Sequence, residues 1–231
     1  MKIVQLNHIP ILEQLWIEEA LLRSDHQNWC LINTGSPPAI VMGISGKPHL
    51  VINLEKIEND QIPIIKRFSG GGTVYIDCDT VFTTFICNVE EIGVLAQPKA
   101  ILEWSEKIYS PLFKNFSLQE NDYIIGNRKF GGNAQYIQKG RWLHHTSFLW
   151  DYQIEKINYL LLPNKCPKYR NNRSHTDFLC NLRPYFPKKA QFIEALSEHF
   201  MKIFSPDIVS KSSILNILKR PHRQVSNRID L

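Results

Sequence analysis

Two glycine-rich segments of this 231-residue chain carry the residues best suited to chemistry. In the first, RFSGGGTVYID at 67–77, an arginine precedes three successive glycines. Such a run loses much backbone entropy on folding, so a ligand lying against bare backbone N–H groups is its best explanation. The guanidinium beside it suits a phosphate or carboxylate. The spacing is neither a GxxxxGK[ST] loop nor a dinucleotide fingerprint, and a flexible hairpin with a solvated arginine is the alternative.

The second segment is GNRKFGGNAQ at 126–135, in which Lys129 comes shortly before Gly131 and Gly132. A primary amine at this point can neutralise the charge that develops on a carboxylate oxygen and an α-phosphate oxygen during adenylation. A single lysine is more often a solvated surface charge. The chemical interpretation of Lys129 therefore depends on the presence of both segments.

Together and in this order, the two segments resemble the paired signatures of the lipoate–protein ligase family. The later LHHTSFLWD at 143–151 resembles the family's next strand, and the resemblance extends over about residues 10–185. It implies an α+β fold, a single mixed-sheet catalytic domain with flanking helices, which biotin ligases and octanoyltransferases share. It also implies an enzyme that joins lipoate or octanoate to ATP as acyl-AMP, with Mg²⁺, and then transfers the acyl group to a lysine of a carrier domain.

The resemblance assigns roles to individual residues. Lys129 is the expected catalytic residue, because the family lysine at this place contacts the acyl carbonyl and the adenylate phosphate. Asn121 and Asp122 match an Asn-Asp pair near the adenylate, with Asp122 on the magnesium side. Phe68 and Phe130 would wall an apolar acyl tunnel, and core packing is an equal alternative. The residues expected to line the acyl-adenylate site are Arg67, Ser69, Gly70, Gly71, Gly72, Thr73, Val74, Tyr75, Asn121, Asp122, Gly131, Gly132 and Ala134.

Three features depart from the family pattern. Thr146 stands where the family usually has glycine, and the basic loop PNKCPKYRNNRSHTDFLCNL at 163–182 carries His175. The sequence stops at Leu231, whereas stand-alone ligases continue into a small accessory domain. The chain would therefore activate lipoate by itself, use a separate accessory chain, or accept preformed lipoyl-AMP.

Other functions compete with the ligase interpretation. An octanoyltransferase would form a thioester on Cys166, whose pKa the neighbouring Lys165 and Lys168 would lower. A non-catalytic lipoyl-domain-binding protein would not need Arg67, the glycine triplet and Lys129 together. Biotin ligation is disfavoured, because the GRGRxGRxW-type signature is missing.

The net charge of +5 is uneven, with −3 over residues 1–160 and +8 over residues 161–231. An acidic lipoyl carrier domain, from a 2-oxoacid dehydrogenase complex or the glycine cleavage H protein, would explain the basic part. Nucleic acid is a less suitable partner, since the interleaved aromatics of single-strand binders are missing.

The sequence contains neither a long apolar run nor a signal-peptide pattern. We therefore expect a cytoplasmic location and no association with a membrane. The five cysteines have no CxxC spacing and are expected to be buried and reduced, with Cys166 left open as the exception.

The secondary structure that must position these segments follows from periodicity and turn residues. A helix is expected over 10–24, with Leu12, Leu15, Trp16 and Ala20 on its core face. A second helix over 98–116 should be interrupted at Pro111. Lys139-Gly140 predicts a hairpin turn. Strands are expected at 29–34, 39–44, 62–68, 73–77, 81–87, 123–126, 128–138 and 142–150, and further helices at 188–204 and 211–220.

We expect one catalytic domain over 1–205, followed by a basic helical tail at 206–231 in place of a full accessory domain.

Overall fold

The computed structural model describes residues 1–162 and 166–230. The strands are β1 Lys2–Leu6, β2 Trp29–Asn33, β3 Ala39–Met42, β4 Ile64–Lys66, β5 Val74–Ile76, β6 Thr80–Asn88, β7 Phe116–Gln119, β8 Asp122–Ile125, β9 Arg128–Gln138, β10 Arg141–Leu149, β11 Asp207–Val209 and β12 Asn227–Ile229. The helices are α1 Ile11–Ser24, α2 Pro48–Val51, α3 Leu54–Asp60, α4 Val89–Ile92, α5 Pro98–Tyr109, α6 Ile154–Ile157, α7 His175–Phe178, α8 Lys189–Phe204 and α9 Leu215–Leu218.

The larger sheet is mixed, with the strand order β11-β1-β2-β6-β10-β9-β8-β7. β1 pairs in parallel with β2 and β11, and the other neighbours are antiparallel. The β9–β10 hairpin turns at Lys139-Gly140 as predicted, and Gly140 has a φ of +73°, which glycine adopts without steric cost. This hairpin carries both the Lys129 segment and the two histidines of LHHTS.

A smaller sheet has the order β12-β4-β3-β5, in which β3 and β4 are parallel. It flanks the glycine triplet, which joins β4 to β5. The α+β class and the mixed sheet with flanking helices are therefore confirmed, and the expected strands are divided between two sheets.

Both faces of the larger sheet are buried. Leu143 on β10 points into an aliphatic core beneath α1 and α9, which also contains Phe68. Trp142 points to the opposite face, as successive strand residues must, into a core beneath α5 and α8 that contains Phe130. Phe68 and Phe130 thus pack in the two cores. No helix in the described ranges is long and apolar enough to cross a membrane.

Residues 207–229 are built into both sheets. β11 extends the larger sheet beside β1, α9 packs on α1, and β12 extends the smaller sheet beside β4. The buried Glu19 carboxylate accepts hydrogen bonds from the backbone N–H groups of Val225 and Ser226, both at 2.8 Å. The Ser226 hydroxyl in turn accepts one from the backbone N–H of Phe68 at 3.1 Å. The segment expected as a helical tail therefore supports the residues that precede the glycine triplet.

Candidate active site

A cavity of about 680 Å³ lies between the two sheets. Its walls include Val41 and Tyr75 from the smaller sheet and Phe82, Ala134 and His145 from the larger one. A volume of this size is typical of small-molecule sites. It is lined by most of the residues predicted from the sequence: Arg67, Gly70, Gly71, Gly72, Thr73, Val74, Tyr75, Asn121, Asp122, Lys129, Gly132 and Ala134.

Two predicted residues do not line the cavity. The Ser69 side chain is buried, and its backbone carbonyl accepts a hydrogen bond from the N–H of Ile44 at 3.0 Å. A Cβ added to Gly131 would lie 3.1 Å from the Tyr123 ring and 3.4 Å from the Phe148 ring. Gly131 therefore makes room for aromatic packing across the sheet.

Arg67 holds the glycine triplet in place. Its buried guanidinium donates to the carbonyls of Gly70 at 2.9 Å and Gly72 at 2.8 Å. Burial lowers the pKa of Arg67 to about 10, so it stays charged at neutral pH. Gly71 has a φ of +106°, and a Cβ there would lie 2.7 Å from Arg67 Nη2, whereas Gly70 and Gly72 face open space. The arginine fixes the shape of the loop, and the bare backbone of the loop faces the cavity.

Lys129 is paired with Asp122 at the cavity wall. The Lys129 Nζ lies 2.7 Å from Asp122 Oδ1, and the Tyr169 hydroxyl donates to Asp122 Oδ2 at 2.8 Å. A register shift between β8 and β9 at Tyr123/Ile124 brings the two strands' charged residues together. The Lys129 carbonyl accepts from the N–H of Cys180 at 2.8 Å. This last contact ties the basic loop at 166–182 to the lysine.

His145 in the cavity wall belongs to a buried polar cluster. Glu18 Oε1 accepts from the Thr84 hydroxyl at 2.7 Å and lies 2.8 Å from His145 Nδ1. Leu15 and Phe82 also line the cavity. Glu18 was missed from the sequence, although the polar residues Gln14 and Glu18 one helical turn apart on a buried helix face are a signal that could have found it.

The two adjacent histidines point to opposite sides of β10, as predicted. His145 lines the cavity, whereas His144 is fully buried on the other side, with Nε2 3.0 Å from the Tyr123 hydroxyl. Desolvation lowers the pKa of His144 to about 3. His144 is therefore a neutral structural residue.

Thr146, which departs from the family glycine, positions a residue of the cavity wall. Its hydroxyl donates to Asn133 Oδ1 at 2.7 Å, and Asn133 Nδ2 donates to the carbonyl of Asn121 at 3.0 Å. The threonine thereby fixes which way the Asn133 amide faces. Through Asn133 it connects β10 to the turn that precedes Asp122.

The basic loop contributes Cys166, Arg170 and His175 to the same cavity. Cys166 is exposed, and Lys165, which was expected to lower its pKa, lies outside the described residues. Of the other cysteines, Cys30 and Cys87 are buried. The prediction of burial is wrong for Cys78, which is exposed on the turn before β6.

The sequence profile of the lipoyl protein ligase A/B catalytic domain matches residues 10–201. The chain belongs to this family. An "inactive lipoate–protein ligase 2" of Plasmodium falciparum is 27% identical over 87% of this chain and 69% of its own length. A "probable lipoate-protein ligase A" of Mycoplasma genitalium is 26% identical over 78% of this chain and 56% of its own. This chain thus spans about half to two thirds of these ligases.

Solved ligase structures share the fold. P. falciparum LipL1 in complex with lipoate superposes with a TM-score of 0.75 at 20% identity, over 96% of this chain and 69% of that chain. A bi-partite lipoate protein ligase of Thermoplasma acidophilum, described with its E2 lipoyl domain, gives 0.75 at 16% identity, over 94% and 90%. A lipoate–protein ligase A bound with ATP gives 0.69 at 14% identity, over 94% and 92%. The TM-scores establish the common fold.

Proposed function

We propose that this chain transfers a lipoyl or octanoyl group, activated as acyl-AMP, to a lysine of a lipoyl carrier domain. The observation that carries the proposal is one cavity whose wall contains both apolar side chains, such as Leu15 and Phe82, and the Lys129–Asp122 pair. The glycine triplet lines the cavity with exposed backbone. Such a cavity suits a ligand with an apolar chain and an anionic head.

The chemistry requires stabilisation of charge on oxygen in both half-reactions. In the first, an acyl carboxylate oxygen bonds to the α-phosphorus of ATP and pyrophosphate leaves. In the second, the carrier amine attacks the acyl carbonyl, AMP leaves and the amine loses a proton. The Lys129 ammonium, held by Asp122 at 2.7 Å, is placed to interact with the carbonyl and phosphate oxygens as their charge increases. Backbone N–H groups of the triplet would add donors that need no side-chain ordering.

The residues present also suit a magnesium ion. Magnesium is usually held by one or two carboxylates together with substrate phosphates, and Glu120 and Asp122 are carboxylates that line the cavity on this side. They would hold Mg²⁺, which neutralises phosphate charge when bound. Support for ATP and lipoate as ligands comes from the related structures that contain them.

Two observations favour a second form of the same function, in which the chain accepts preformed lipoyl-AMP. The P. falciparum relative is named inactive, and the T. acidophilum ligase is bi-partite. A separate accessory chain would then supply or assist the first half-reaction. The transferase route through Cys166 is kept as a further alternative, because this residue lines the cavity.

The test is acyl transfer to a purified apo lipoyl carrier domain, read as the carrier's mass. One arm supplies lipoate with Mg²⁺ and ATP, and the other supplies lipoyl-AMP. We expect carrier lipoylation in the second arm, and the first arm shows whether this chain performs activation unaided. Lys129→Ala should lower the rate about 10²–10³-fold, while Lys139→Ala, at the exposed turn of the same hairpin, should leave it unchanged. An unmodified carrier in both arms would refute the proposal.

A further inference from the structure

Thr146 is a fully buried polar residue on β10. It lies directly opposite Asn133 in the antiparallel register with β9, and its hydroxyl donates to Asn133 Oδ1 at 2.7 Å. Asn133 lines the cavity, and its Nδ2 donates to the carbonyl of Asn121 at 3.0 Å. The next residue, Asp122, holds the Lys129 Nζ at 2.7 Å. Two hydrogen bonds and an ion pair therefore connect the Thr146 hydroxyl to the expected catalytic amine.

Two neighbouring side chains, Gln135 and His144, fix the direction of the Thr146 hydrogen bond. Gln135 Nε2 donates to the carbonyl of Pro98 at 3.2 Å, which sets the orientation of the amide, and it lies 3.1 Å from His144 Nδ1. Burial lowers the pKa of His144 to about 3, so the ring carries a single proton at neutral pH. His144 Nδ1 must accept from Gln135, and this proton therefore lies on Nε2. Because His144 Nε2 lies 3.3 Å from the Thr146 hydroxyl oxygen, that oxygen accepts and its own proton is left for Asn133 Oδ1.

A second contact of the His144 ring supports the same tautomer. His144 Nε2 lies 3.0 Å from the Tyr123 hydroxyl, which lies 2.5 Å from Ser105 Oγ. Ser105 donates its proton to the carbonyl of Leu102 at 2.9 Å, so Tyr123 donates to Ser105 and its oxygen can accept from His144. Each buried group in the series then has one consistent role as donor or acceptor. Reversing any of them would place two donors or two acceptors against each other, which is costly in a buried network.

The orientation of the Asn133 amide matters because Asn133 lies between the glycine triplet and Lys129. A Cβ at Gly71 would lie 3.4 Å from the Asn133 carbonyl oxygen, and one at Gly132 would lie 3.5 Å from Lys129 Nζ. If the amide were turned by about half a rotation, Oδ1 would face the carbonyl oxygen of Asn121 and the hydrogen bond would be lost. The turn that precedes Asp122 would then lose its side-chain contact with β9.

We propose that Thr146 is a positioning residue for acyl transfer, which acts through Asn133 to hold the turn before Asp122 and with it Lys129. This inference rests on the proposed function, because it concerns the lysine to which transfer is assigned there. The hydroxyl supplies the one property that the role requires, a donor of fixed direction. Since glycine is usual at this place in the family, that donor is a feature of this chain.

The experiment measures transfer from lipoyl-AMP to an apo carrier domain, with kcat and KM for the carrier. Thr146→Val keeps the shape of the side chain and removes the hydroxyl, so kcat should fall by about 10–100-fold, as expected for a misplaced reacting group, while KM stays unchanged. Thr146→Ser, which retains the donor, should restore most of the rate. In an Asn133→Ala background, which is itself slow, Thr146→Val should cause no further loss.

Thr83→Val is the matched control for the loss of a buried hydroxyl. Thr83 is fully buried on β6 directly opposite Thr146, and its hydroxyl is hydrogen-bonded to that of Tyr109 at 2.6 Å. Urea unfolding should show similar losses of stability in Thr83→Val and Thr146→Val, and only Thr146→Val should lower kcat. An equal fall of kcat in both variants would overturn the proposal, since weakened packing would then be the cause. Additive losses in Thr146→Val/Asn133→Ala would also overturn it.

NMR of the Asn133 side-chain amide separates this inference from the proposed function. The proton bonded to the Asn121 carbonyl should resonate at lower field than the other amide proton. This separation should shrink in Thr146→Val and persist in Thr146→Ser. If the wild-type protein transfers no acyl group, the proposed function fails and the resonances still decide whether Thr146 orients Asn133. An unchanged separation in Thr146→Val would refute that orientation.

Discussion

Gly71 should respond to alanine differently from Gly72, because the two glycines have different surroundings. Gly71 has a φ of +106° and would place a Cβ 2.7 Å from Arg67 Nη2, whereas a Cβ at Gly72 would meet no atom within 4 Å. We therefore expect Gly71→Ala to destabilise the fold. Gly72→Ala should leave the fold intact and interfere only with a ligand.

The expected loss of stability in Gly71→Ala is the sum of two free-energy costs. A non-glycine residue in such a backbone conformation costs about 1–3 kcal/mol. Displacement of the Arg67 guanidinium weakens its hydrogen bonds to the Gly70 and Gly72 carbonyls, which costs about 1–2 kcal/mol more. The free energy of unfolding should therefore fall by about 2–5 kcal/mol. Gly72→Ala should instead be neutral or raise it by up to about 1 kcal/mol, since alanine restricts the unfolded chain.

Urea unfolding gives the stability of each variant, and calorimetry with a non-hydrolysable lipoyl-AMP analogue gives its affinity. For Gly72→Ala we expect wild-type stability and affinity at least tenfold lower, because the added methyl group prevents close approach to the backbone. A Gly71→Ala variant as stable as wild type would refute the conformational role of this glycine. Wild-type affinity in Gly72→Ala would refute the close approach of the ligand.

Three further predictions concern the site and its support. Lys129→Ala should lower the free energy of unfolding by about 1–3 kcal/mol, since it leaves the buried Asp122 carboxylate without its cation. In the double variant Lys129→Ala/Asp122→Asn, urea unfolding should show most of that stability restored. Acyl transfer should still be lost in the double variant. Cys166→Ser should retain near-normal transfer, and mass spectrometry should show no acyl adduct on the native protein; an adduct that disappears in the serine variant would favour the transferase. The pKa of His144 is lowered to about 3, so the unfolded state binds the proton more readily and stability falls as pH drops below about 6.5. His144 alone should make unfolding about 2 kcal/mol easier at pH 5 than at pH 8, and His144→Gln should flatten that slope; an unchanged slope would argue against this residue as its source.

Local sequence patterns were sufficient to predict the helices and strands whose partners are close in sequence. The β9–β10 hairpin follows from two strand-like runs around Lys139-Gly140, and α5 ends at Tyr109, just before Pro111, as the ring of proline requires. The strand Lys2–Leu6 was not predicted. It is stabilised by parallel pairing with β2 and β11, and no local pattern shows those partners.

In helix α1, helical periodicity predicts only part of the observed burial. Leu15 and Ala20 are buried as predicted, but Trp16 is 39% exposed. Its indole N–H donates to the Ser226 carbonyl at 2.9 Å, a contact across 210 residues of sequence. Glu18 is buried on the same helix because Thr84 and His145 satisfy Oε1. A hydropathy pattern assigns tryptophan to the core and glutamate to the surface. It cannot predict the hydrogen-bond partners that leave Trp16 partly exposed and allow Glu18 to be buried.

The support of Phe68 by Ser226, and of Ser226 by Glu19, has a consequence for the order of folding. The hydrogen bond from Ser226 to Glu19 closes a contact across 207 residues, and each sheet receives an edge strand from residues 207–229. Contacts this distant in sequence form slowly, because the chain must first pay the entropy of closing a long loop. During synthesis the β9–β10 hairpin can form early, while the glycine triplet gains its final support only after Ser226 has left the ribosome. The ligand cavity should therefore be among the last parts of this domain to mature.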